Sequence, residues 1–230
     1  MLAPRELPRT TIGKKVVMAV SGVIWFGYVI GHLLGNLQIY AGPDKINGYA
    51  EFLHHAPALL WGTRLLLLFA IVAHVVASVQ LSVRNLSARP VAYARRTDLA
   101  TGYAARTMMW SGPILLAFIL FHLAHLTFGA VRDLEFDEHD VYNNVVLSFQ
   151  LWWLSGLYIA AQIALCLHLY HGAWSFLQTL GASHPAYDAW RRRFAAAAAV
   201  AIFVGYVSIP VSVMVGWLRP ATHSIARAGP

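Results

Sequence analysis

The sequence predicts an all-α integral membrane bundle of five transmembrane helices, with the N-terminus cytoplasmic and the C-terminus outside. Three observations carry that prediction. Of the 230 residues, 58% are hydrophobic and only 12% are charged, against roughly 25% charged in a soluble domain. The apolar residues fall in continuous runs rather than alternating, which argues against a membrane β-barrel. Five of these runs reach the roughly 20 residues that a helix needs to cross about 30 Å of hydrocarbon.

All five belong to one membrane domain, 1–230, and lie at about 16–39, 59–83, 108–131, 147–180 and 194–217. The first follows Lys14 and Lys15. It is too long for the core of a cleaved signal peptide, so it is expected to be retained. The third holds Pro113 and the fifth holds Pro210; a proline there kinks a span and frees backbone carbonyls for local use. The fourth is the longest, and its last turns, Ser175 to Leu180, are expected to leave the lipid. Near the start of the fifth, Ala195–Ala199 is a run of small side chains suited to close helix contact. Trp110, Trp152, Trp153, Trp174 and Trp217 sit near span ends, where an interfacial aromatic belt is the expectation.

The charges set the orientation. Basic residues cluster at Lys14 and Lys15, at Arg84, Arg89, Arg95, Arg96 and Arg106, and at Arg191, Arg192 and Arg193. The loop before the fourth span carries Asp133, Glu135, Asp137, Glu138 and Asp140 instead, and reads as a solvated outer loop. Lysine and arginine favour the cytoplasmic side, so the N-terminus is placed inside. Arg64, Arg219 and Arg227 fall outside in this scheme and weaken the bias without reversing it. Topology accounts for the net charge of +7 better than a nucleic-acid surface does, and no nucleic-acid partner is expected. The single cysteine, Cys166, permits neither an intrachain disulfide nor a cysteine metal cluster.

The chemistry lies in the histidines. Four spans each carry imidazole deep in apolar sequence: His32, His74, His122 or His125, and His168 or His171. Ionisable groups inside spans are costly and read as functional. Depth follows from the helical rise. His32 lies about 26 Å from Lys15 and His122 about 24 Å from Arg106, so those two can meet near the outer face. His74 lies about 15 Å before Arg84 and His168 about 18 Å before Leu180, so those two can meet near the inner face. Two pairs, roughly 10 Å apart in depth, suit two b-type haems stacked across a bilayer. Depth alone separates neither doublet, and it favours His171 slightly as the partner of His74. Zinc or copper would need the histidines gathered at one depth. Gly27, Gly31 and Gly35, four residues apart, make a bare groove beside His32 for another helix or a flat macrocycle.

The segments TIGKKVVMAVSGVIWFGYVIGHLLGNLQIYAG (Thr11 to Gly42), INGYAEFLHH, FHLAHLTFG and LHLYHGAWSFLQTLG resemble the five-helix, two-haem cytochrome b membrane anchors of succinate dehydrogenases and fumarate reductases. The similarity runs from about Thr11 to Pro210. It implies two haem b groups, held by His32 and His122 toward the outside and by His74 and His168 toward an iron–sulfur subunit. In FHLAH the first histidine matches the ligand, and in LHLYHGAWSF the ligand is the one four residues before the glycine. His125 and His171 would then stand beside the ligands or the propionates.

The resemblance further implies a flavoprotein subunit and an iron–sulfur subunit as partners, a bacterial cytoplasmic membrane, and menaquinone or ubiquinone as substrate. Glu51, with His54 and His55 beside it, is the candidate acceptor for quinol protons; the alternative is an ordinary interfacial charge. Lys14, Lys15, Ser21, Arg84 and Arg106 could serve quinone or propionates at the other end, beside their roles in topology and docking. No nucleotide loop, flavin motif or dicarboxylate site is present in the chain. Two other readings fit the same histidines: the di-haem subunit of another quinone-linked dehydrogenase or a hydrogenase, and a haem-poor structural anchor.

Overall fold

A computed structural model describes residues 10–88, 103–131, 136–181 and 184–221. Arg89, Arg95, Arg96, Asp133, Glu135 and Arg227 lie outside the described residues. Among those described, the chain is all-helical, without strands. Seven α-helices follow in order: α1 (Thr11–Asn36), α2 (Pro43–His54), α3 (Pro57–Ser87), α4 (Tyr103–Leu126), α5 (Val141–Gln150), α6 (Trp152–Thr179) and α7 (Asp188–Met214). Five of them, α1, α3, α4, α6 and α7, belong to segments long and apolar enough to cross a membrane. Their outer faces match that role. On α3, Leu65, Leu68, Phe69, Val72, Val76 and Val79 are all exposed, an apolar face that suits hydrocarbon rather than water.

Local chemistry sets the helix ends. Thr10 caps α1, its side chain accepting from Gly13 N–H at 3.0 Å. Pro43 and Pro57 open α2 and α3, where a missing N–H costs nothing. The third span stops at Leu126, short of the expected 131. There Gly129 takes a φ of +60° and Ala130 N–H closes back on the Ala124 carbonyl at 2.9 Å, a glycine-terminated helix end.

The fourth apolar run also differs from expectation. It is not one helix from 147 but two, because Leu151 is extended, with ψ 108°, and separates α5 from α6. Ser155 bridges the break by donating to the Phe149 carbonyl at 2.7 Å. The helix α5 is mostly buried and joins α2 and the end of α7 around Ile39, Ile46, Val146, Phe149, Ile209 and Val213.

The same end of the bundle is tied by polar contacts. Asp140, expected in a solvated loop, is 4% exposed. It caps α5 through Asn143 N–H at 3.1 Å and accepts from Asn47 Nδ2 of α2 at 3.1 Å. Asn143 Nδ2 in turn donates to the Ala221 carbonyl at 3.2 Å, holding the segment after α7. In the bundle itself α1 packs on α3, α6 and α7, and α4 packs on α6. The most extensive interface joins α6 and α7, where Ala195 and Ala199 are buried one turn apart, the use of small residues that the alanine run suggests.

Ala199→Leu should overpack that interface and destabilise the protein by about 1–3 kcal/mol. Ala197→Leu, on an exposed position of the same helix, should leave the detergent melting curve unchanged.

Candidate functional site

Two pairs of histidines face each other across the bundle. The ring centroids of His32 on α1 and His122 on α4 are 5.9 Å apart, with planes at 81°. Those of His74 on α3 and His168 on α6 are 6.2 Å apart, with planes at 53°. A metal–imidazole bond of about 2.0 Å, with the centroid about 1.1 Å behind the nitrogen, sets two rings on opposite sides of one ion about 6.2 Å apart. Both pairs stand near that separation. Among the described residues no group of three or more histidine, cysteine, aspartate or glutamate side chains could hold a metal ion. That leaves opposed pairs rather than a tetrahedral cage.

Three helices measure the distance between the pairs independently. Ser21, which touches His74, lies eleven residues before His32 on α1. On α4, Ser111, which touches His168, lies eleven before His122. Tyr158, which touches His122, lies ten before His168 on α6. Each offset amounts to about 15–17 Å along the axis, more than the roughly 10 Å expected from sequence. The sequence ruler ran from basic residues, but α1 begins four residues before Lys15 and α3 continues past Arg84 to Ser87, so those charges do not mark the helix ends.

Hydrogen bonds orient three of the four rings. Nδ1 of His74 lies 3.0 Å from the Met18 carbonyl and 3.2 Å from Ser21 Oγ. A carbonyl only accepts, so His74 carries its proton on Nδ1 and keeps a lone pair on Nε2. Nδ1 of His168 lies 3.4 Å from Ser111 Oγ, and Nδ1 of His122 lies 3.3 Å from Tyr158 Oη. Holding the far nitrogen of a ligand imidazole in this way fixes its ring and tautomer. His32 is placed by stacking on Tyr28, centroids 5.4 Å apart and planes at 11°.

The doublets separate on the same grounds. Both nitrogens of His125 are engaged, Nδ1 with Tyr158 Oη at 2.9 Å and Nε2 with Ser148 Oγ at 2.9 Å. His171 lies edge-on to Trp174, with centroids 5.6 Å apart, and its buried Nδ1 has no hydrogen-bond partner. Neither makes an opposed pair of the kind that His122 and His168 make.

Space for a flat group exists beside the rings. The helices that carry each pair, α1 with α4 and α3 with α6, are not close-packed neighbours. A Cβ added at Gly27 or Gly31 would meet no neighbouring atom, whereas one at Gly35 would lie 2.9 Å from the Tyr49 ring. The glycine stripe is thus split: Gly35 seats α2, and Gly27 and Gly31 leave bare backbone next to His32. Gly22 lets the His74 ring approach α1, its added Cβ standing 3.4 Å from Cε1.

The remaining candidates lie toward the bundle ends. Glu51 sits on α2, 71% exposed, with His55 Nε2 at 3.7 Å, and lines an open recess with Asp44, Asn47, His54 and Glu138. That recess is at the end of the bundle nearer His32 and His122. Lys14, Lys15, Arg84 and Arg106 lie toward the opposite end, while Ser21 turns to His74 rather than to an outer ligand. Sequence reasoning missed Ser111, Ser148 and Tyr158. The available signal was polar side chains inside apolar runs, which need partners there.

Compared with known protein families, curated proteins and solved structures, the chain finds no match.

His125→Leu would leave the Tyr158 hydroxyl proton without its acceptor and should cost about 1–3 kcal/mol. His171→Leu removes no bonded partner from Nδ1, so its melting temperature should stay close to that of the parent.

Proposed function

We propose that this chain is the di-haem b membrane anchor of a succinate:quinone oxidoreductase, a succinate dehydrogenase or fumarate reductase. In that role it passes electrons between an iron–sulfur subunit and membrane quinone. The observation that carries the reading is the pair of opposed imidazole couples at axial-ligand spacing, 5.9 and 6.2 Å between centroids. They lie at two levels of one bundle of apolar helices. A b-type haem held by two imidazoles would supply one-electron transfer without binding oxygen or substrate at the iron.

His74 and His168 would hold the inner group and His32 and His122 the outer one. The Met18 carbonyl and Ser21 keep the Nε2 lone pair of His74 available, and Gly27 and Gly31 leave the flank of His32 open. The resemblance of the histidine segments to the succinate dehydrogenase and fumarate reductase anchors supports the rest of the assignment. The N-terminus lies in the cytoplasm and the C-terminus outside a bacterial cytoplasmic membrane. Lys14, Lys15, Arg84 and Arg106 then face the iron–sulfur subunit and its flavoprotein, which supply the dicarboxylate chemistry that this chain lacks. Menaquinone or ubiquinone reacts toward the outer end, where Glu51 takes up or releases its protons with His54 and His55 beside it. An exposed carboxylate within reach of imidazole suits proton exchange with water.

Single alanine substitutions test the pairing. His74→Ala or His168→Ala should remove one b-type redox transition, and His32→Ala or His122→Ala the other, each leaving its counterpart in place. Loss of both transitions in every variant, or of neither, would contradict two independent centres. A complex that binds haem but purifies without a flavoprotein would assign the chain to a different quinone-linked dehydrogenase. Glu51→Gln should slow quinone turnover by about tenfold or more with both haem spectra intact; unchanged turnover would remove Glu51 from the proton path.

A further inference from the structure

The contacts around Tyr158 form a hydrogen-bond chain whose direction can be read from one end to the other. It starts at Ser148, whose hydroxyl donates to the Asn144 carbonyl. A carbonyl cannot donate, so the single Ser148 proton is committed there. Ser148 Oγ must then accept from His125 Nε2, 2.9 Å away, and His125 carries its proton on Nε2. That leaves His125 Nδ1 as an acceptor, so Tyr158, at 2.9 Å, donates its hydroxyl proton to it. With that proton used, the Tyr158 oxygen accepts from His122 Nδ1 at 3.3 Å. The chain ends on a His122 protonated at Nδ1, with a bare lone pair on Nε2.

Three members of this chain are well enclosed, Ser148 at 1%, His125 at 3% and Tyr158 at 7% exposed, so water does not compete for these bonds. The chain also crosses three helices, Ser148 on α5, His125 and His122 on α4, and Tyr158 on α6. His74 gets the same tautomer more simply, from a backbone carbonyl. His168 of that pair meets a single side chain, Ser111, whereas His122 of the outer pair ends a relay of three.

We propose that Tyr158, backed by His125 and Ser148, is the positioning residue for His122, fixing its tautomer and raising the basicity of its Nε2. The metal-bound part of this proposal rests on the haem reading of the histidine pairs; the tautomer part stands on this chain alone. A phenol oxygen whose own proton is already donated is a better acceptor, and a ligand imidazole that donates to such an acceptor becomes more basic. A more basic ligand favours the oxidised metal, so the relay lowers the potential of the outer centre.

Two measurements on the full-length chain test this. Nitrogen-15 NMR of the histidine-labelled chain in detergent, without cofactor, should find His122 protonated on Nδ1 and His125 on Nε2. Tyr158→Phe should abolish the His122 preference, with His74 unchanged. The opposite tautomers in the parent protein would overturn the proposal. In the haem-loaded complex, Tyr158→Phe should raise the outer midpoint potential and leave the inner one in place. His125→Phe should shift it in the same direction by less. An outer potential unmoved by Tyr158→Phe would overturn the tuning role. A parent chain that takes up no haem would refute the function proposed above, while the tautomers would still decide the hydrogen-bond chain.

Discussion

A polar nitrogen inside a lipid-facing bundle has no water to bond, so the protein must supply its partner. That constraint organises this chain. Six histidines sit in α1, α3, α4 and α6, and several of the polar side chains buried among them meet imidazole. Ser21 and the Met18 carbonyl take Nδ1 of His74, Ser111 approaches His168, and Tyr158 with Ser148 serves His122 and His125. His74, His122 and His168 are each bonded through Nδ1 and each stand against a second imidazole ring.

The two levels are held by different means. Around the inner pair, α1 donates its own backbone and a small flank at Gly22, so the geometry is built into the helix. Around the outer pair, the work falls to α5, a buried helix that packs with α2 and the end of α7. Asp140, Asn143 and Asn47 lock that end through buried hydrogen bonds, which keeps Ser148 in place for His125. Stability and site geometry are thus coupled most closely at that end of the molecule.

Much of the fold was legible because lipid imposes length and continuity on apolar sequence. Five runs gave five long helices, and only their ends moved. The third ended early because Gly129 offers a left-handed cap that hydropathy does not register. The break at Leu151 was invisible for a different reason: no proline or glycine marks it, and apolar residues continue across it. In the site, depth grouped His32 with His122 or His125 and His74 with His168 or His171, and the structure brings His32 against His122 and His74 against His168. What depth could not do was separate His122 from His125 or His168 from His171, since three residues span less than one turn. That choice depends on which nitrogens meet Tyr158, Ser148 and Ser111, on other helices. Asp140 was misplaced for the same reason: nothing local announces that Asn47, far away in sequence, will bury it.

The account stands or falls on whether each histidine pair binds one haem. The most direct measurement is the dithionite-reduced minus oxidised spectrum of the purified complex, with haem counted per chain as its pyridine haemochrome. Two b-type haems per chain are predicted. A chain without haem would contradict the account, and a chain with one would mean that a single pair serves only to hold helices together.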